Sequence, residues 1–207
     1  MDATVAELVE RASELVVPGE RRILGLVGAP GAGKSTLATQ LVNSLGPRAA
    51  VLVPMDGFHL AGGVLADLGS LDRKGAPDTF DDDGYARLIE ALHRQRAGVV
   101  YAPKFDRMLE EPIGSAIPVR SEVPLVITEG NYLLLDDGAW PAARRRMDEV
   151  WFLDPDPGVR RERLTRRHEE FGKSSQEAAL WASGPDERNS VLVRSTAARA
   201  DLVLRLL

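Results

Sequence analysis

The sequence predicts an α/β fold in which a central parallel sheet lies between two layers of helices, a three-layer α/β/α sandwich. Two observations predict it. Short runs rich in Val, Ile and Leu alternate with longer stretches of helical period, and the short runs lack a polar residue at every second position, as strands buried on both faces require. Between the first of these runs and the helical pattern that follows lies a glycine-rich stretch, Gly28-Ala29-Pro30-Gly31-Ala32-Gly33-Lys34-Ser35-Thr36.

Val5, Leu8, Val9, Ala12, Leu15 and Val16 recur at helical spacing until Pro18-Gly19, which predicts an amphipathic packing helix over residues 3 to 16. Ile23 to Val27 reads as the first core strand. Thr36 to Leu45 reads as a helix stopped by Gly46-Pro47. Further strands are expected at Ala50 to Val53, Leu125 to Thr128, Val150 to Leu153 and Asp201 to Leu206. Helices are expected at Asp83 to Arg96, Val159 to Glu170 and Ser175 to Arg194. His59 to Phe80 and Pro103 to Glu122 carry little periodicity, and irregular stretches beyond strand ends are where such folds hold substrates.

At 207 residues and 44% hydrophobic content, the chain has enough apolar surface for one substantial core, so one domain spanning 1 to 207 is expected. The formal net charge of −5 argues against the basic field that nucleic acid requires. No apolar run approaches the roughly 18 residues that cross a bilayer, and Met1-Asp2-Ala3-Thr4 lacks a basic leader. With no cysteine, disulfides and thiolate chemistry are excluded, and the cytoplasm is the expected location.

Gly28 to Ser35 satisfies G-x-x-x-x-G-K-[ST] at every fixed position, in the strand-loop-helix context that gives the pattern its meaning. Glycines let the backbone curl its N–H groups around phosphate oxygens. Gly28, Gly31, Ala32, Gly33, Lys34, Ser35 and Thr36 are therefore expected to bind a nucleoside triphosphate. Lys34 reaches the β- and γ-phosphates and the Ser35 hydroxyl ligates magnesium, while the positive end of the following helix faces the anion. The loop fixes the nucleotide and leaves the reaction open. Asp56, at the end of the second core strand, adds an acid close to the γ-phosphate, placed to accept a hydroxyl proton or hold a magnesium-bound water.

The sequence resembles the uridine kinase and pantothenate kinase branch of P-loop kinases, especially small bacterial nucleoside/nucleotide kinase-like or fructose-transport-system kinase-like proteins. The blocks that carry the resemblance are Gly28 to Thr36, Met55-Asp56-Gly57-Phe58-His59, Arg73 to Asp81, Ala102-Pro103-Lys104-Phe105-Asp106, Thr128-Glu129-Gly130-Asn131-Tyr132 and Arg163 to His168. The resemblance implies ATP and Mg2+ as cofactors, Asp56 as base, and phosphoryl transfer to a hydroxyl of a small metabolite. It places His59, Phe80, Asp81, Phe105 and Arg107 on the acceptor side, with Asp82 and Asp83 read equally as helix caps. Glu129 would hold substrate or, with Ser35, the metal. Arg163 and Arg167, four apart on one helical face, would close a lid around residues 160 to 190 over the transferring phosphate. Arg166 reads as surface charge. The family's acceptor-recognising histidines are absent, their places falling near Arg107 and Glu110, which suggests a polar or charged acceptor such as a sugar or sugar acid.

Some residues carry blander readings. The three histidines show no metal-ligand spacing, and His93 reads as solvated. Arg21-Arg22 and Arg144-Arg145-Arg146 read as exposed charge, and Trp140, Trp151 and Trp181 as packing. Two rival functions remain open: a nucleotide-dependent switch acting through protein partners, and a nucleoside monophosphate kinase using Arg73, Lys74 and Arg107. The absence of an Asn-Lys-x-Asp motif and of an acid-terminated Walker B strand speaks against a GTPase or motor ATPase. A small hydroxylated acceptor is the expected partner, a homodimer is admitted, and nucleic acid and membrane are not expected.

Overall fold

A computed structural model describes the chain except Phe171 and Lys173 and the side chains of His168, Ala179, Trp181, Ala182, Ser183 and Pro185. The packing role expected of Trp181 and the His168 end of the lid block lie outside the described residues. Alternation of strand and helix runs through the chain. The first elements are β1 (Asp2–Ala3), α1 (Val5–Glu14), β2 (Arg22–Val27), α2 (Lys34–Leu45), β3 (Ala50–Pro54), α3 (Gly62–Asp67) and α4 (Asp82–Arg94). Then come β4 (Val99–Asp106), β5 (Glu111–Arg120), β6 (Leu125–Gly130), α5 (Trp140–Arg144) and β7 (Glu149–Leu153). The last are α6 (Pro157–Glu170), α7 (Ser175–Ser183), α8 (Pro185–Arg194) and β8 (Leu202–Leu206).

Among the described residues, six strands form one parallel sheet in the order β1-β8-β7-β2-β6-β3. Side chains alternate across each strand, so β2 sends Ile23 and Val27 into one core and Leu24 and Leu26 into the other. The first core packs under α4 and α5 with Tyr85, Ile89 and Trp140, and the second under α1 and α2 with Leu8, Leu37 and Leu41. This is the expected three-layer sandwich. Trp140 and Trp151 are buried in it as expected. Among the described residues no helix is long and apolar enough to cross a membrane.

The departures from expectation are local. The first helix begins at Val5 because Thr4 and Glu7 form a capping box, the Thr4 amide donating to Glu7 Oε2 at 2.8 Å and the Glu7 amide to Thr4 Oγ1 at 3.3 Å. Asp2 and Ala3 are then free to extend the sheet beside β8. Ser175 to Arg194 is two helices, broken at Gly184, whose backbone at φ −103° and ψ −97° leaves the helical region. Pro103 to Glu122 belongs to an antiparallel hairpin, β4 with β5, outside the main sheet. Arg21 is buried, its Nη2 donating to the Arg120 carbonyl at 2.9 Å, so it ties the hairpin to the sheet rather than facing solvent. His93 is half-buried, and its Nδ1 has no hydrogen-bond partner among the described residues.

The hairpin leans on the 3₁₀ turn Met55–Phe58 that follows β3. A Cβ at Gly57 would lie 2.6 Å from the Pro103 carbonyl oxygen, well inside contact distance. Gly57→Ala is therefore expected to lower stability by about 1–3 kcal/mol, the usual cost of overpacking. The check is a lower urea midpoint at an unchanged denaturant slope.

Candidate active site

The loop between β2 and α2 turns through glycines that other residues would strain. Gly31 has φ +82°, and a Cβ there would meet the Arg160 carbonyl at 2.8 Å. Helix α2 starts at Gly33 with no side-chain cap, leaving its first amides without a side-chain acceptor. Those amides and the helix dipole suit an anion. Lys34 is buried against the loop, its Nζ donating to the carbonyls of Gly28 at 2.9 Å and Ala29 at 3.3 Å and to Asn131 Oδ1 at 2.7 Å. Burial pushes its pKa down, and the charges of Glu129 and Asp56 oppose that shift. Ala32 packs into the core, while Thr36 lies exposed on the first turn of α2 and does not line the cleft.

Strand β6 lies between β2 and β3, and its register sets Glu129 beside Leu26 and Pro54. Glu129 Oε1 accepts from the Ser35 hydroxyl at 2.9 Å. Burial pushes the Glu129 carboxyl up and Asp56 adds to the effect, whereas Lys34 and the Ser35 hydrogen bond draw it down. An acid therefore does terminate the strand beside the phosphate loop, and the sequence reading that no such strand exists is corrected: Glu129 takes that place. The oxygen donors of Ser35 and Glu129 fit a hard cation such as magnesium. Among the described residues no three His, Asp or Glu side chains gather as a metal cage, so an ion here would complete its shell from phosphate and water oxygens.

The turn after β3 delivers the acceptor side. Asp56 pairs with Arg107 at 3.3 Å, reached from the tip of the β4–β5 hairpin. Its backbone carbonyl lies 2.7 Å from His59 Nδ1. A carbonyl only accepts, so Nδ1 carries the proton and Nε2 is left with a lone pair. Burial pushes the imidazole pKa down, which keeps the ring neutral near neutral pH. The His59 ring packs tilted against Phe80, 4.0 Å between centroids at 44°, and against Phe105, 4.6 Å at 43°. Phe80, Phe105, Arg107 and Glu110 line the same cleft as Lys34, Ser35, Asp56 and Glu129, a cavity of about 600 Å³.

Asp81 is placed differently. It is the N-cap of α4, its Oδ1 accepting from the Gly84 amide at 2.8 Å, and it does not line the cleft. Capping, expected for Asp82 and Asp83, falls to Asp81 because helix α4 starts one residue earlier than its apolar pattern shows.

Helix α6 lies across the loop. Arg167 lines the cleft, and burial together with nearby Arg107 lowers its pKa. Arg163 is exposed at the other end of the loop, where a methyl at Gly33 would sit 3.5 Å from its Nη1. Arg166 is surface charge paired with Glu170 at 3.4 Å. Sequence reasoning missed Arg160, 2% exposed, whose Nη1 donates to the Pro30 carbonyl at 3.2 Å and whose Nη2 pairs with Glu187 on α8. The available signal was position: 160, 163 and 167 share one helical face. Asn131 on Lys34, and Arg188 and Asn189 along the cleft, were also unassigned.

No family model matches the chain. It is 33% identical to a Schizosaccharomyces pombe protein named "Putative uridine kinase C227.14", over 97% of this chain and 90% of that one. A solved Silicibacter structure described as a "putative fructose transport system kinase" is 37% identical, with TM-score 0.87 over 97% of this chain and 98% of the other. The chain belongs to the uridine kinase-like P-loop kinases. The fold of this kinase is also that of the Saccharomyces cerevisiae protein YFH7, described as "a putative P-loop containing kinase with a circular permutation". There the TM-score is 0.82 at 18% identity, over 98% of each chain.

In this kinase Arg160 fastens both α6 and α8 to the phosphate loop. Arg160→Leu is expected to cost about 2 kcal/mol, the scale of a charged hydrogen bond lost at a buried site. Its thermal midpoint should fall, and limited proteolysis should cut between α6 and α8 faster than in the wild type.

Proposed function

We propose that this kinase transfers the γ-phosphate of ATP to a hydroxyl of a small metabolite, with magnesium. The observation that carries the reading is Asp56 facing the same cleft as Lys34, Ser35 and Glu129. Phosphate-binding and proton-accepting groups then meet across one cavity, which falls in the usual size range of small-molecule sites.

Each residue has a role that follows from its place. The α2 amides and Lys34 hold the β- and γ-phosphates, and Ser35 and Glu129 would hold the magnesium ion. Bound there, the ion supplies neutralisation of charge on the phosphate oxygens. Asp56 accepts the proton as the acceptor oxygen forms its bond to the γ-phosphorus, while the bond to the β-phosphate oxygen breaks. Arg167 faces the transferring group, and Arg163 covers the loop from outside. Arg107 orients Asp56 through their ion pair, and the packed rings of His59, Phe80 and Phe105 wall the acceptor. Hydrophobic Phe80 and Phe105 exclude water that would otherwise compete as nucleophile.

Removing the base isolates the chemical step. Asp56→Asn should lower kcat for substrate-stimulated ADP release about 10²–10⁴-fold, the range for general base loss, while the dissociation constant for ATP stays within about twofold. Full turnover in this variant would remove Asp56 from the mechanism. Ser35→Ala should shift the magnesium dependence of the rate to higher concentration, and chelation should abolish ADP release in both proteins.

A further inference from the structure

Contacts on the acceptor side of the cleft run in a fixed order. From Asp56 the backbone carbonyl leads to His59 Nδ1, the His59 ring leads to Phe105, and the Lys74 ammonium lies 5.3 Å from the Phe105 centroid. Lys74 Nζ also donates to the Glu110 carbonyl, which ties its loop to the hairpin tip. Lys74 and His59 both line the cleft. Arg107 pairs with Asp56, whereas Lys74 lies against Phe105, the ring at the far end of this chain of contacts.

The cations here differ in what already satisfies them. Arg73 pairs with Asp78 at 2.6 Å and donates to Ser70 Oγ at 2.9 Å. Arg107 pairs with Asp56. Lys74 has a carbonyl and an aromatic face but no carboxylate among the described residues. Those two groups steady an ammonium without neutralising it. His59, neutral and clamped between two rings, offers Nε2 as an acceptor with no partner among the described residues. The acceptor side thus presents a carboxylate, a hydrogen-bond acceptor and a positive charge to one cavity.

We propose, resting on the kinase reading above, that the phosphate acceptor is a short polyol with an anionic end. One hydroxyl meets Asp56, a second donates to His59 Nε2, and the carboxylate or phosphate end pairs with Lys74. Transfer forms the acceptor oxygen–phosphorus bond, breaks the bond to the β-phosphate oxygen, passes the proton to Asp56 and releases ADP. A neutral sugar leaves Lys74 unmatched. A flat base would have to displace His59 from between Phe80 and Phe105.

Matched series test this: threitol, threonate and threitol phosphate, and xylitol, xylonate and xylitol phosphate, each read by ADP release with ATP and magnesium. In the wild type an anionic member should show a KM at least about tenfold below its neutral parent, the scale of one charge-assisted hydrogen bond. Which anion wins identifies the end group. Lys74→Met should erase the gap and Lys74→Arg should keep it. Arg87→Ala, which removes an exposed cation paired with Asp83 on α4, should leave the gap as it is. His59→Phe, which keeps the stack, should raise the KM of neutral and anionic members together. Equal KM values for neutral and anionic members, a gap that survives Lys74→Met, or a KM untouched by His59→Phe would overturn the proposal. Silence from both series and from a nucleoside panel, with ATP binding intact, would instead sink the kinase reading beneath it.

Discussion

Two opposite charges, Lys34 and Glu129, lie buried at one end of the main sheet. Neither charge survives there uncompensated, because removing an ion from water costs several kcal/mol even after the protein relaxes. Lys34 is compensated by two loop carbonyls and Asn131, and Glu129 by the Ser35 hydroxyl. These partners come from the loop after β2, the start of α2 and the end of β6. The parallel register of β2 with β6 is what brings them level. The catalytic end of the sheet is therefore fixed by electrostatic need as much as by packing. The glycine loop can remain open to a ligand because the buried charges hold both its ends.

The parts of the fold that were legible in the sequence owe this to local causes. Strands β2, β6 and β7 are buried on both faces, so their apolar runs needed no partner to be recognised. The phosphate loop was legible because its glycines and Lys34 answer to backbone geometry within nine residues. Asp56 was legible as an acid that ends an apolar strand and Glu129 through the block Thr128 to Tyr132, and both line the cleft.

What escaped depends on contacts distant in sequence. Arg160 looks like one more cation in a basic run. Its burial arises from Pro30, 130 positions earlier, and from Glu187 on another helix. The β4–β5 hairpin carries Pro103, Pro112 and Pro118 and exposes much of both strands, so neither alternation nor a solid apolar run marks it. Asp81 was the reverse error, a local capping rule outweighed by a pattern. Its side chain satisfies an amide of the helix it begins, a need present in any sequence with that turn.

The pairing of β1 with β8 has a topological consequence. Residue 1 donates its amine to the Val203 carbonyl at 2.8 Å, and Leu207 donates its amide to the Ala3 carbonyl at 3.1 Å. Met1 thus stands level with Leu204 along one sheet edge, and about 10 Å of strand rise separates it from Leu207. None of the groups facing the cleft lies on that edge. The pairing of the first and last strands is therefore separable from the chemistry that the cleft supports.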